Sequence, residues 1–328
     1  MRSAEIHTGT ELPTPVPRPA VLLAASIPLV ALAQALGDGL RFSDEFLTTI
    51  WPPLGVLVAL LWLAPARSWL GWPSLVASFI AVEALVSFGV TRSLEALSSA
   101  FLLPSVSALG ALVVVWLLRR RGIAWPDFGR VGHVAEFLVI ATLTGPVLAG
   151  LLGGWSAITL DPNRTLLGEA AKFWCGDVLG ILVVTPLVAS WLCRDPEATP
   201  LGERKGELAA LGLAVVGAAL FAAWLPGREG GSWVEVSHVV LPVLVWACLR
   251  FDARIVSLLL ALAGGIVVRS AMAHGGVVSL VAMQTYLLLG SSTMLLLSAA
   301  VQSGNRLRRR GLEVSAQKLE AERRLWRA

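Results

Sequence analysis

The stretch "KFWCGDVLGILVVTPLV", residues 172–188, decides the fold. From Val178 to Cys193 no residue is charged, and the apolar run of 168–193 is longer than the roughly 20 residues that a helix needs to cross a bilayer core. Asp177 stands near its start, with Lys172 behind it and Gly176 and Gly180 beside it. A carboxylate in such a place is costly, roughly 2.5–3.5 kcal/mol at mid-membrane on insertion scales. A buried acid needs a partner, a proton or water.

The rest of the chain has the same texture. Hydrophobic residues make up 56% and charged residues 15% of 328, with a mean hydropathy of +0.74. Soluble domains carry about a quarter charged residues, so this composition points to an integral membrane protein. Barrel strands alternate apolar and polar over about ten residues. The runs here are uniform and about twenty residues long, which only helices satisfy. The expected fold is therefore an all-α polytopic bundle.

Ten runs are long enough to span: 20–38, 46–65, 69–90, 94–118, 133–158, 168–193, 207–226, 236–250, 254–273 and 277–301. Of the 26 lysines and arginines, 20 fall in one alternating set of flanks and 6 in the other. Positive charge marks the cytoplasmic side, so both termini are expected in the cytoplasm of a bacterial inner membrane. Trp69, Trp72, Trp125, Trp155, Trp191, Trp224 and Trp233 lie at or near span ends, where amphipathic rings prefer the headgroup layer. Three domains follow: a disordered N-terminus at 1–19, rich in proline; a transmembrane domain at 20–302; and a juxtamembrane helix at 303–328.

Chemistry inside the membrane is sparse. Cys175, Cys193 and Cys248 are scattered and no Cys/His cluster suggests a metal. No hydrolase, nucleotide or metalloprotease motif is present, no cofactor is named by the residues, and the chain is not expected to be an enzyme. The embedded ionisable groups crowd toward the non-cytoplasmic side: Glu83, Asp177, Lys172 and Arg269. Trp51-Pro52-Pro53 lies at the same level, and its two prolines are expected to bend or break the second span there, freeing carbonyls of Leu47, Thr48 and Thr49. Two readings of this constellation stand. One is a ligand pocket anchored by Glu83 and Asp177 and walled by Trp51, Pro52, Pro53 and Trp174. The other is a structural salt bridge, with Lys172 and Arg269 as the charge partners. Gly176 and Gly180, like Gly150 and Gly154, have the i, i+4 spacing of close helix crossings.

Beyond residue 301 the chain becomes highly charged and helix-forming. Leu312, Ala316, Leu319 and Trp326 fall at i, i+4, i+7 and i+14. This suits a helix continuing from the last span, either toward a coiled-coil homodimer or as a basic segment on anionic lipid.

These residues carry a resemblance. "WPPLGVLVALLWLAPARSW" (51–69), "KFWCGDVLGILVVTPLV" (172–188), "LPVLVWACLRFDARIVSLLLALAGG" (241–265) and "VQSGNRLRRRGLEVSAQKLEAERRL" (301–325) are together similar to the first-described type of bacterial membrane-associated sensor domain, the MASE group. The resemblance covers roughly residues 20–325. It implies a sensory input module that passes a conformational change to a cytoplasmic output module of histidine kinase, PAS or diguanylate cyclase type, hence two-component or cyclic di-GMP signalling. No output module is read within these residues. The expected partners are the bilayer, that output module and a second copy through the tail, not nucleic acid. The other readings are a secondary transporter, which ten spans and a broken second helix would suit, and a membrane enzyme, for which no convergent catalytic set can be assembled.

Overall fold

The computed structural model describes residues 18–41, 48–65, 71–91, 95–160, 163–193, 204–224, 233–273 and 280–327. The expectation of disorder over 1–19 thus lies outside the described residues, save for Arg18 and Pro19. Among the described residues there are eleven helices and no strand: α1 (Pro19–Gly39), α2 (Pro52–Leu63), α3 (Trp72–Thr91), α4 (Glu95–Arg120), α5 (Val131–Leu143), α6 (Gly145–Leu160), α7 (Leu166–Leu192), α8 (Lys205–Trp224), α9 (Trp233–Arg250), α10 (Ala253–Ala273) and α11 (Leu280–Arg327). Each of the ten apolar runs contains helix among its described residues. Seven segments are long and apolar enough to cross a membrane, counting α5 and α6 as one; α2 and the Trp72–Val86 part of α3 are shorter apolar helices.

Sequence decides which helices are central. In "PPLGVLVALLWL" no residue is polar, so α2 has no face to offer water and every one of its residues is buried. It packs chiefly against α7, α1 and α4. By contrast α8 buries only Leu211, Ala218 and Ala222 among its described residues; its Leu213, Val216 and Leu220 are exposed, as befits a helix facing acyl chains. We call the end of the bundle holding the start of α2 the far end, and the end from which α11 emerges the tail end.

Two findings concern prolines. The second run, counted from 46, was expected to bend or break at Trp-Pro-Pro. It breaks: α2 begins at those prolines, which fill its first two positions. There the missing N–H groups are needed by no intrahelical bond, so residues 48–51 enter the bundle non-helical. The fifth run, expected as one helix, is broken between α5 and α6 at Thr144. Pro146 has no N–H to give the carbonyl four residues back, that of Thr142, and "TGP" was a legible signal of the break. Gly145 also sits against Gly110 of α4, where a Cβ on either would lie 2.5 Å from the other's carbonyl oxygen.

At the tail end Arg119 closes α2. Its Nη2 donates to the carbonyls of Leu61 (3.2 Å), Trp62 (2.8 Å) and Ala64 (2.6 Å), and its guanidinium lies 5.0 Å from the Trp72 ring centroid. These are the orphan acceptors of a helix C-terminus in an apolar setting. Arg119→Met is expected to lower stability by about 3 kcal/mol, since hydrogen bonds to charged groups are worth about 1.5–3 kcal/mol each and are not additive. Thermal unfolding in detergent measures it; Lys, lacking the planar fork, should rescue less than half.

Candidate functional site

The far end is assembled around the non-helical entry to α2. Trp51 N–H donates to the Gly176 carbonyl of α7 (3.0 Å), and Thr185 Oγ1 donates to the Gly55 carbonyl (2.9 Å). A Cβ on Gly55 would overlap the Gly180 carbonyl, and one on Gly180 would overlap the Trp51 carbonyl. The two backbones touch, which only glycine allows. From α1, Gly37 comes up to the ring atoms of Pro52 and Trp51, at 3.2 and 3.8 Å from its would-be Cβ. Gly150 and Gly154 serve another crossing, that of α6 on α7, where Ala170 and Trp174 lie against them.

Glu83 and Asp177 are 3% and 6% exposed, so both acids are inside the protein and not against lipid. Glu83 is paired with an amide: Gln34 of α1, oriented to donate, places its Nε2 2.8 and 3.1 Å from the two carboxylate oxygens. Asp38 and Asp177 are the charged groups that bear electrostatically on Glu83. Asp38 has its own cation, Arg41, at 2.8 Å.

The expected charge partners are elsewhere. Lys172 Nζ lies 3.0 Å from Glu169, which Arg164 also approaches at 3.3 Å. Arg269 is exposed on α10. Among the described residues no ion pair joins either cation to Asp177 or Glu83, and Lys172 is paired with Glu169. The physical reason is local: Glu169 sits one helical turn before Lys172 and captures it. The Trp174 indole donates to the Thr142 carbonyl (2.9 Å), the acceptor that Pro146 releases. Trp174→Phe is expected to cost about 1 kcal/mol through that part-buried acceptor, read as a lowered unfolding temperature with no change at the acids.

Gln284 on α11 was not foreseen. It is fully buried, and its Nε2 donates to the carbonyls of Thr49 (3.3 Å) and Lys172 (3.0 Å). The Thr49 carbonyl is one of those that the α2 prolines were expected to leave free. Among the described residues, Thr49 Oγ1 and Gln284 Oε1 at this junction are buried and have no hydrogen-bond partner. A lone amide in an apolar span is the signal that would have found Gln34 and Gln284, since such a group is expensive without a partner.

The far end therefore gathers Trp51, Pro52, Pro53, Gly176, Gly180, Asp177 and Gln284 around one backbone junction, with Glu83 and Gln34 in electrostatic reach. Among the described residues no three His, Cys, Asp or Glu side chains converge as metal ligands, so the chemistry on offer is hydrogen bonding and charge. A narrow, wholly apolar crevice between α8, α9 and α10, lined by Val215, Val240, Leu259 and Ile266 among others, lies apart from these groups.

A family model described as MASE1 matches residues 21–305. No curated protein and no solved structure matches the chain.

Proposed function

The chain belongs to the MASE1 family of membrane-associated sensor domains, and we propose that its sensory input is read at the far-end junction and delivered by α11. The observation that carries this reading is Gln284. One side chain of α11 holds both the entry to α2 and the start of α7, and the same helix runs unbroken from Leu280 to Arg327. Forty-eight residues of helix span roughly 70 Å, more than twice the hydrocarbon core of about 30 Å. A shift of Thr49 or Lys172 at one end is thereby tied to the tail at the other.

Asp177, joined to no cation among the described residues, together with Thr49 Oγ1 and Gln284 Oε1, which find no hydrogen-bond partner among them, supports these groups as the contacts for a signal. Each unpaired buried group is worth about 1–3 kcal/mol to whatever satisfies it. A signal acts only through its preference for one of two packings. The charge distribution of the flanks supports a cytoplasmic tail, an inner-membrane location and an output module of kinase or cyclase type on that side. The exposed Leu312, Leu319 and Trp326 support pairing of two copies beyond the membrane.

The test joins the full chain to a histidine-kinase output and compares autophosphorylation in membranes. Asp177→Asn and Glu83→Gln are each expected to move resting output about fivefold or more, a bias of about 1 kcal/mol between packings. Unchanged output from folded protein would refute the assignment. Substrate uptake into proteoliposomes by the untagged chain would instead favour transport, for which the α5–α6 break is the supporting feature.

A further inference from the structure

The tail end carries a device that the far-end reading does not need. Between α4 and α5 lies residues 121–130, "RGIAWPDFGR". Gly122, at φ +83°, ends α4, and the Ile123 N–H returns to the Leu118 carbonyl (3.0 Å), so the chain turns sharply back. The segment then makes two sets of contacts, with different helices.

One set is with α2. Trp62 Nε1 donates to the Ile123 carbonyl (3.1 Å). The Trp62 ring meets Phe128 edge-on at 5.9 Å and stacks on Phe137 at 5.6 Å, and Phe128 meets Phe137 edge-on at 5.5 Å. The other set is with α11. Arg306 Nη1 donates to both oxygens of Asp127, at 3.1 and 3.0 Å. Ser303 Oγ donates to the Gly129 carbonyl (2.9 Å) and accepts from Val131 N–H (3.3 Å). Gly129 is so close to α11 that a Cβ there would lie 2.7 Å from Arg306 Nη2 and 3.0 Å from Gln302 Oε1. Asp127 is held in shape by Gly129 N–H (3.0 Å) and by Arg130 (2.9 Å).

Arg306 is also where α11 leaves the bundle. Its side chain is 17% and that of Asp127 14% exposed, while every described residue from Leu307 onward is exposed. The exposed part of the helix therefore begins where this segment grips it. We infer that residues 123–130 are a clasp: seated on the end of α2, they hold α11 at Ser303 and Arg306, and their grip decides how freely the tail moves. Because α2 is the central helix and starts at the far-end junction, the clasp gives α11 a second attachment to the same element, one at each end of α2. This concerns how the tail is held and stands whatever the far end binds.

Hydrogen exchange on the full chain in nanodiscs tests it, with no signal and no output module needed. Asp127→Arg and Arg306→Asp are each expected to speed exchange of the amides around 303–312 by about tenfold or more, as local opening becomes easier. Together, the two reversals restore the pair and should bring exchange back to within about threefold of the parent. Asp127→Asn and Ser303→Ala should move the same amides in the same direction, with peptides of α2 around Trp62 still protected. Single reversals that exchange like the parent, or a double reversal as fast as the singles, would overturn the clasp. So would Asp127→Asn exposing α2 and the tail together, because the segment would then be a staple of the whole bundle.

Discussion

Gly180→Ala yields little folded protein, and what folds is less stable by about 3 kcal/mol or more, at the upper end of the cost of overpacking. The reason is that the first atom of any side chain at 180 meets the Trp51 carbonyl, and the facing Gly55 is equally filled by the Gly180 carbonyl. A flexible side chain can swing aside; a carbonyl at the start of a fully buried helix cannot. Gly176, four residues earlier in the same spacing, behaves differently. Its nearest neighbour would be the Thr48 carbonyl oxygen at 3.3 Å, which a shift of a few tenths of an ångström relieves, so Gly176→Ala costs less than about 1 kcal/mol. Thermal unfolding of the two variants in one detergent separates them. Equal stabilities would mean that α2 and α7 do not touch as described.

Gln284→Leu uncouples the tail. The change keeps the volume and the helix propensity, but it takes the side-chain donor from the buried Thr49 carbonyl and from the part-buried Lys172 carbonyl, which keeps its place in the α7 ladder. A buried acceptor left unsatisfied costs about 1–3 kcal/mol, a sizeable share of the 5–15 kcal/mol typical of a folded protein. The functional consequence is sharper than the loss of stability. If α11 reads the far end through this amide, Asp177→Asn shifts the output of a kinase fusion in the parent and has at most a twofold effect in the Gln284→Leu background, because the two perturbations share one route. Additive effects of the two substitutions would mean that the signal travels another way.

How far sequence reached depends on the kind of force involved. Uniform apolar runs report bilayer thickness directly, so the helices and the continuation of the last span into the tail were legible from Leu280 onward. Glycine spacing marked close crossings without telling which partner each would meet; Gly180 meets a carbonyl of α2, and Gly150 and Gly154 meet α7. Lys172 was matched to the embedded acids by depth alone, when Glu169, three residues away on the same helix, was the nearer acid. The hydrogen bond of Trp174 was not legible because the break at Pro146, which creates its acceptor, was not read at all. Gln34 and Gln284 are uncharged and were passed over, although an amide in an apolar span carries much the same demand for a partner. Asp127 and Arg306 are 179 residues apart, and nothing local pairs an acid in one turn with an arginine within a distant helix.

The central claim is that a change at the far-end junction is felt where α11 leaves the bundle. Hydrogen exchange at residues 303–312 in the full chain, compared between the parent and Asp177→Asn, tests it most directly. Asp177 lies on α7 and touches none of those residues, so a purely local account leaves their amides untouched. The coupled account predicts that their exchange changes by about threefold or more, with the remainder of α7 still protected. An unchanged tail beside a perturbed junction would contradict it.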